Sequence, residues 1–197
     1  MNYSLKNFEI PSYNTSILYT NYNYNEDAAF YLNNKCTVVS LDTLSNITDI
    51  PDNILEDFNV LYLKTKKDLT TIDNLIINIL NSIISSNSTI VFLNVLTYVD
   101  KAFRKKIFAY LKSNNKQIIN YTTDPEEVLF LDYLIVMQQS KVIIEGKTKL
   151  VLKEEKIIKR LGFNLPFIIE LSSGLKYYKV IDKLYFDSES LVNKLWK

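Results

Sequence analysis

The chain has no histidine, one cysteine and three glycines in 197 residues. Without histidine there is no serine–histidine or cysteine–histidine nucleophile and no imidazole ligand for a metal. Cys36 alone can close no disulfide and supply no thiolate zinc site within the chain. It opens the apolar run Cys36, Thr37, Val38, Val39 and reads as a buried structural thiol. The glycines stand at 146, 162 and 174. A loop that wraps phosphates with successive backbone N–H groups needs small residues at fixed places and a lysine reaching the outer phosphates. Gly146, Lys147 and Thr148 spell the last three letters of that motif. The place of its first glycine is Lys141, and Val142, Ile143, Ile144 and Glu145 between them read as a strand, so the triplet reads as a turn.

Charge of one sign is lacking too. The 23 basic and 22 acidic residues leave a net charge of +1, which argues against a nucleic-acid binder working through a strongly basic face. The runs Lys64, Lys66, Lys67 and Arg104, Lys105, Lys106 read as solvated surface. No apolar run is long enough to span a bilayer: the longest, residues 128–137, is broken by Asp132. The first residues show no basic segment followed by an apolar block, so the expected place is the cytosol or the inner face of a membrane protein.

What is present is an alternation of strand and helix. At 47% apolar content the chain can bury one sizeable core with a small appendage. Strands are predicted at 15–20, 36–40, 90–93 and 117–121, with two more after residue 131, the second ending at Gly146. Helices are predicted at 25–32, 51–58 and 70–84, then from Asp100 to about 112, and a short one opened by Asp124 and Pro125. Over 70–84, Ile72, Leu75, Ile76, Ile79, Leu80, Ile83 and Ile84 form an amphipathic stripe. Beyond residue 146 come helices at 154–161 and 166–172, a strand at 180–186, and a closing helix from Ser188. The alternation over 15–137 predicts an α/β fold with a mainly parallel sheet.

The order and spacing of residues 89–146 resemble the second half of an ABC-type ATPase domain. With Asp100 taken as the D-loop aspartate, the Walker B aspartate position falls on Leu93, the catalytic glutamate on Asn94 and the switch histidine on Thr123. The signature that should read LSGGQ is Leu69, Thr70, Thr71, Ile72, Asp73. Residues 4–11 resemble the strand leading to Walker A, and the phosphate loop is replaced by Asn21, Tyr22, Asn23, Tyr24, Asn25, Glu26, Asp27. Leucine cannot hold magnesium through its water shell, and a neutral amide cannot take a proton from water as a carboxylate base does. Residues 156–171 resemble the C-terminal extension of the energy-coupling-factor ATPases, which drive vitamin and metal uptake.

The resemblance implies a P-loop NTPase-like (ABC ATPase-like) α/β fold with a reduced helical subdomain. Residues 1–146 would be the degenerate ATPase-like domain, and 147–197 a small extension that helps hold two ATPase subunits together. It implies a non-catalytic subunit with no catalytic, cofactor-binding or metal-binding residue, associated with or regulating an energy-coupling-factor-type transporter. The implied partners are an ABC ATPase subunit, in a homo- or heterodimer, and a transmembrane transport subunit, without nucleic acid or direct membrane insertion. Interface candidates are Asp100, Leu161, Leu165, Phe167, Ile168, Leu171 and Trp196. Two other readings stay open. One is a nucleotide-dependent enzyme drawing on Asp100, Asp124, Glu126 or Glu127, although helix capping and solvent exposure account better for the last three. The other is a scaffold unrelated to transport, and for the tail the alternative is packing back on its own domain.

Overall fold

A computed structural model of the chain describes residues 3–5, 8–10, 12–19, 36–41, 45–139 and 141–196, the first two segments as backbone alone. Eight strands are described: β1 (Tyr3–Leu5), β2 (Phe8–Ile10), β3 (Thr15–Tyr19), β4 (Thr37–Val39), β5 (Thr89–Leu93), β6 (Gln117–Thr122), β7 (Tyr133–Gln138) and β8 (Lys141–Lys147). The α-helices are α1 (Asp52–Asp57), α2 (Thr71–Ile84), α3 (Lys101–Ser113), α4 (Thr148–Val151), α5 (Glu155–Arg160), α6 (Phe167–Tyr177) and α7 (Ser188–Leu195). Strands β3 to β8 form a six-stranded sheet in the order β4-β5-β6-β3-β7-β8. All its pairings are parallel except β7 with β8, a hairpin closed at the sheet edge. The mainly parallel α/β sheet read from the sequence is therefore the fold.

The parallel strands are apolar on both faces, as expected of a sheet covered on both sides. On one face Ile90 and Phe92 of β5 and Ile118 of β6 join the buried residues of α1, α2 and α3 in one apolar cluster. Leu18 of β3 and Leu134 and Val136 of β7, on that same face by strand alternation, join Val151, Ile158, Ile168 and Leu191 of the tail in a second. Ile17, Val91, Leu93, Ile119, Tyr121, Ile135 and Met137 point to the other face. The tail is thus packed on the sheet of its own chain.

Helix α2 shows why these residues choose this structure. Thr70 caps its first turn, its hydroxyl accepting the Asp73 backbone N–H at 3.2 Å, and the Asp73 carboxylate accepts the Thr70 N–H at 2.7 Å. This reciprocal pair satisfies two N–H groups that a helix start leaves unpaired. The expected stripe needs one correction: Ile72 is exposed and Ile77 buried, because the helix is covered along a broader front that includes the side of Ile77. Ile76 and Ile84 are half-buried at its margin.

Other expectations fare differently. The strand expected at 4–11 is a small antiparallel hairpin of β1 and β2, forming a sheet apart from the main one. The helix expected at 25–32 and the loop at 21–27 lie outside the described residues. The helix expected at 166–172 runs on to Tyr177. No strand forms at 180–186. There the Val180 N–H is spent on the Leu175 carbonyl at 2.9 Å and the Tyr185 N–H on the Ser172 hydroxyl at 2.8 Å, so both are turned toward α6 and away from any sheet.

The Asp73 carboxyl is held at about 2, below its ordinary 3.8, first by the hydrogen bond from Lys66 and then by those from Thr70. A depressed folded value means that this contribution to stability is full above the ordinary value and fades as pH falls toward the folded one. Replacing Asp73 with alanine is expected to cost about 1 kcal/mol at neutral pH. Urea titrations across the acid range should show the difference from the native chain shrinking as pH drops from 3.8 toward about 2.

Candidate functional site

In an open parallel sheet, ligands are held beyond the carboxyl ends of the strands. At those ends of β5 and β6, Leu93 pairs with Tyr121 in register. Leu93 is 6% exposed and lies in the apolar cluster with Tyr19 and Tyr121. Asn94 follows in the left-handed region at φ 52°, a conformation that asparagine tolerates better than most residues. Its N–H donates to the Tyr121 carbonyl at 2.7 Å, extending the ladder by one bond. Its side-chain oxygen accepts both the N–H and the hydroxyl of Thr123, each at 3.1 Å. The positions that the resemblance gives to the catalytic glutamate and the switch histidine are therefore adjacent, and they are bonded to each other.

The polar groups around this corner are taken up in the same way. The Asp100 carboxylate accepts the Phe103 N–H at 2.8 Å and caps α3, while Asp100 as a residue remains exposed. Asp124 caps the short 3-10 helix Pro125–Phe130 by accepting the Glu126 N–H at 2.9 Å, and Glu126 accepts the Phe167 N–H at the start of α6. In the signature segment, Thr70 and Asp73 form the helix cap and Lys66 pairs with Asp73. Gly146 and Lys147 end β8, and the buried Thr148 opens α4 with its hydroxyl donating to the Leu131 carbonyl at 2.7 Å. The triplet is a strand-to-helix corner, the turn that the sequence suggested.

Two readings are corrected here. Glu127 is not a solvated carboxylate, and Arg104 is not solvated surface. The Glu127 side chain has no exposure, and one of its oxygens lies 3.5 Å from the Arg104 guanidinium, itself 14% exposed. The other oxygen accepts from the Asn120 amide at 2.8 Å. Arg104 also reaches Asp124 at 3.5 Å. Burial pushes the Glu127 carboxyl above its ordinary 4.5, against the opposing pull of the Asn120 and Thr122 hydrogen bonds and of Arg104. No local pattern announces this pair, since its members stand 23 residues apart and meet only when α3 packs beside β6.

The structure divides the interface candidates between the chain's own core and its surface. Leu165 and Ile168 are buried in the chain's own second cluster and Leu161 packs against it. Phe167 is 69% and Leu171 40% exposed on α6, while Trp196 is 85% exposed just after α7. No motif announces a cleft of about 1010 Å³ at the opposite end of the sheet, beside Tyr13, Tyr133, Lys147 and Phe186. Among the described residues no group of three or more histidine, cysteine, aspartate or glutamate side chains is placed to hold a metal ion. Nor is any described helix long and apolar enough to cross a membrane.

Solved structures share this arrangement. CbiO1 of Clostridium perfringens, part of the ABC transporter complex cbiONQ, superposes with a TM-score of 0.56 at 17% identity, over 84% of this chain and 93% of that one. A bacterial Atm1-family ABC exporter with ATP bound gives 0.63 at 11% identity, over 78% of this chain and 37% of that one. The fold is that of an ABC ATPase. In sequence the chain is similar to energy-coupling factor transporter ATP-binding proteins. To EcfA of Malacoplasma penetrans it is 26% identical over 182 residues, 87% of this chain and 60% of that protein. To EcfA1 of Geobacillus kaustophilus it is 29% identical over 103 residues, covering 50% of this chain and 37% of that protein. The chain thus spans three fifths or less of the length of these relatives. No family model matches it. Set on this ABC ATPase-like frame, Leu93 and Asn94 close β5 and Thr123 follows β6 without an acid or an imidazole among them.

The buried pair is open to test. Removing Arg104 leaves a buried carboxyl without its counter-charge, so Arg104→Ala is expected to lose about 3 kcal/mol at neutral pH. Because the folded value of Glu127 is raised, the folded state holds a proton that the unfolded chain has released, and stability falls as pH climbs from 4.5 through the raised value. Glu127→Gln should remove that fall, as measured by chemical denaturation at a series of pH values.

Proposed function

We propose that the chain is a non-catalytic ABC ATPase-like subunit that associates with or regulates an energy-coupling-factor-type transporter. The observation that carries this reading is the Asn94–Thr123 pair, in which the amide oxygen at the catalytic-base position is spent on two hydrogen bonds from Thr123. An amide cannot accept a proton from an attacking water, and this one is also engaged. Leu93 beside it is buried among apolar and aromatic side chains. Similarity to energy-coupling factor ATP-binding proteins supplies the transport side of the proposal.

In this reading residues 1–146 keep the ATPase-like frame and 147–197 form the extension that meets a second ATPase subunit. The side chains available for that contact are those standing outward on the first turns of α6, Phe167 and Leu171. Leu165 and Ile168 already serve the chain's own core and support the helix from beneath. The protein would reach the inner face of the membrane through such a complex.

Two measurements test the proposal. Calorimetry of the purified chain with magnesium and ATP is expected to show no binding, and submicromolar affinity would overturn that expectation. Gentle purification of the tagged chain from its own cells, with native mass measurement, is expected to recover an intact ABC ATPase or a membrane transport subunit. Replacing Phe167 and Leu171 with alanine should weaken that recovery while leaving the fold intact. Recovery of the chain by itself counts against a transport role.

A further inference from the structure

The last part of the tail carries an exposed surface that the ATPase-like frame does not use. Tyr177 and Tyr178, at the end of α6, are 81% and 77% exposed, and Val180 just beyond is 55% exposed. The two tyrosine rings meet edge to face at 5.2 Å and hold each other in this outward position. Val192, Leu195 and Trp196 stand outward at i, i+3 and i+4, the spacing of one helix face. The ends of α6 and α7 meet at a hollow lined by Lys176, Lys179 and Lys194 with a single acid, Asp182. The chain as a whole is nearly neutral, so this local excess of positive charge is a property of the patch.

Lys179 adds an independent observation. Its φ is 60°, in the left-handed region after a helix, where glycine or asparagine is the favoured residue. The other non-glycine residues described with positive φ are asparagines at 59, 94 and 115 and a glutamine at 139. A lysine here strains the backbone, and it lines the hollow between the ends of α6 and α7. Its ammonium is what the position gains.

Exposed tryptophan and tyrosine among lysines, with aliphatic side chains between them, is the composition of a surface that lies at the level of lipid headgroups. The aromatic rings seat at the boundary of polar and apolar layers, and the lysines face anionic headgroups. A nucleic acid would use the same lysines and rings but would leave Val180, Val192 and Leu195 without a role. We propose that the end of the tail, centred on Tyr177, Tyr178, Trp196, Lys176, Lys179 and Lys194, is a contact surface for anionic membrane lipid. It adsorbs at the headgroup level without crossing the bilayer, and the inference does not rest on a transport partner.

Trp196 is the one tryptophan of the chain and reports on its own surroundings. The full chain is mixed with vesicles of phosphatidylcholine alone and of an equimolar mixture with phosphatidylglycerol, at low and high salt. The expected result is a blue shift of tryptophan emission and co-sedimentation with the anionic vesicles, both diminished by salt. Each lysine contributes roughly fivefold to partitioning, so changing Lys176, Lys179 and Lys194 together to alanine should reduce binding on the order of a hundredfold. Lys179→Gly separates this role from a structural one: it should raise Tm by about 2–4 °C while weakening vesicle binding roughly fivefold. Equal binding to both kinds of vesicle overturns the proposal, as does its absence from both. A blue shift that appears with protein concentration alone assigns the patch to a second copy, and tighter binding to single-stranded oligonucleotide than to vesicles assigns it to nucleic acid; each of these also overturns it.

Discussion

The contact on which the rest of the architecture leans is the buried meeting of Arg104 with Glu127. Two apolar clusters occupy one face of the sheet, one over β5 and β6 with α1 to α3, the other over β3 and β7 with the tail. Between them runs a polar seam made by Ser16 of β3, its register partner Asn120 on β6, Thr122 and Glu127, all buried. The ladder of β6 with β3 fixes the strands, but apolar packing has no preferred direction and leaves open how the elements covering the two clusters meet above the seam. A charged group with no access to water fixes them, because it is tolerable only where its counter-charge and its amide donor are both in place. Arg104 comes from α3, Asn120 from β6 and Glu127 from the 3-10 helix that leads into β7. One carboxyl therefore sets the mutual position of three elements, and Glu126 beside it fastens the start of α6 to the same turn.

Around this anchor, the D-loop and signature positions of the resemblance, and Asp124 beside its switch position, serve the backbone. Asp100 caps α3, Asp124 caps the 3-10 helix, and Thr70 with Asp73 closes the first turn of α2. The same chemistry that makes a carboxylate useful to a metal or a proton makes it useful to the open N–H groups of a helix. In this chain these groups perform the second of those duties.

Much of this frame was legible in the sequence. The apolar runs that became β3, β5, β6 and β7 are flanked by polar or proline-marked turns, and Thr70, Asp100 and Asp124 announce the helix starts they cap. The adjacency of Asn94 and Thr123 follows from two neighbouring parallel strands ending level, and the spacing of the resemblance led to both residues. The Arg104–Glu127 pair was hidden, because a charge looks the same in sequence whether it meets water or another charge. The expected strand at 180–186 misled because several of its apolar residues do pack, Ile181 in the second cluster and Tyr185 and Phe186 against it, but as an irregular strap beside α6. Apolar content reports which side chains are covered, and only a free neighbouring edge turns that into a strand.

The left-handed backbone at Asn94 limits which residues the end of β5 can carry. Asparagine sits at φ 52° with little penalty, and its short side chain meets Thr123 from there. A glutamate at this place would meet a backbone that disfavours it by about 1–2 kcal/mol and would carry one methylene too many for the same bonds. An aspartate at position 93 would find an apolar cluster closed around it. Two consecutive positions at the end of β5 are thus closed to carboxylates for different reasons, Asn94 by its backbone and Leu93 by its surroundings.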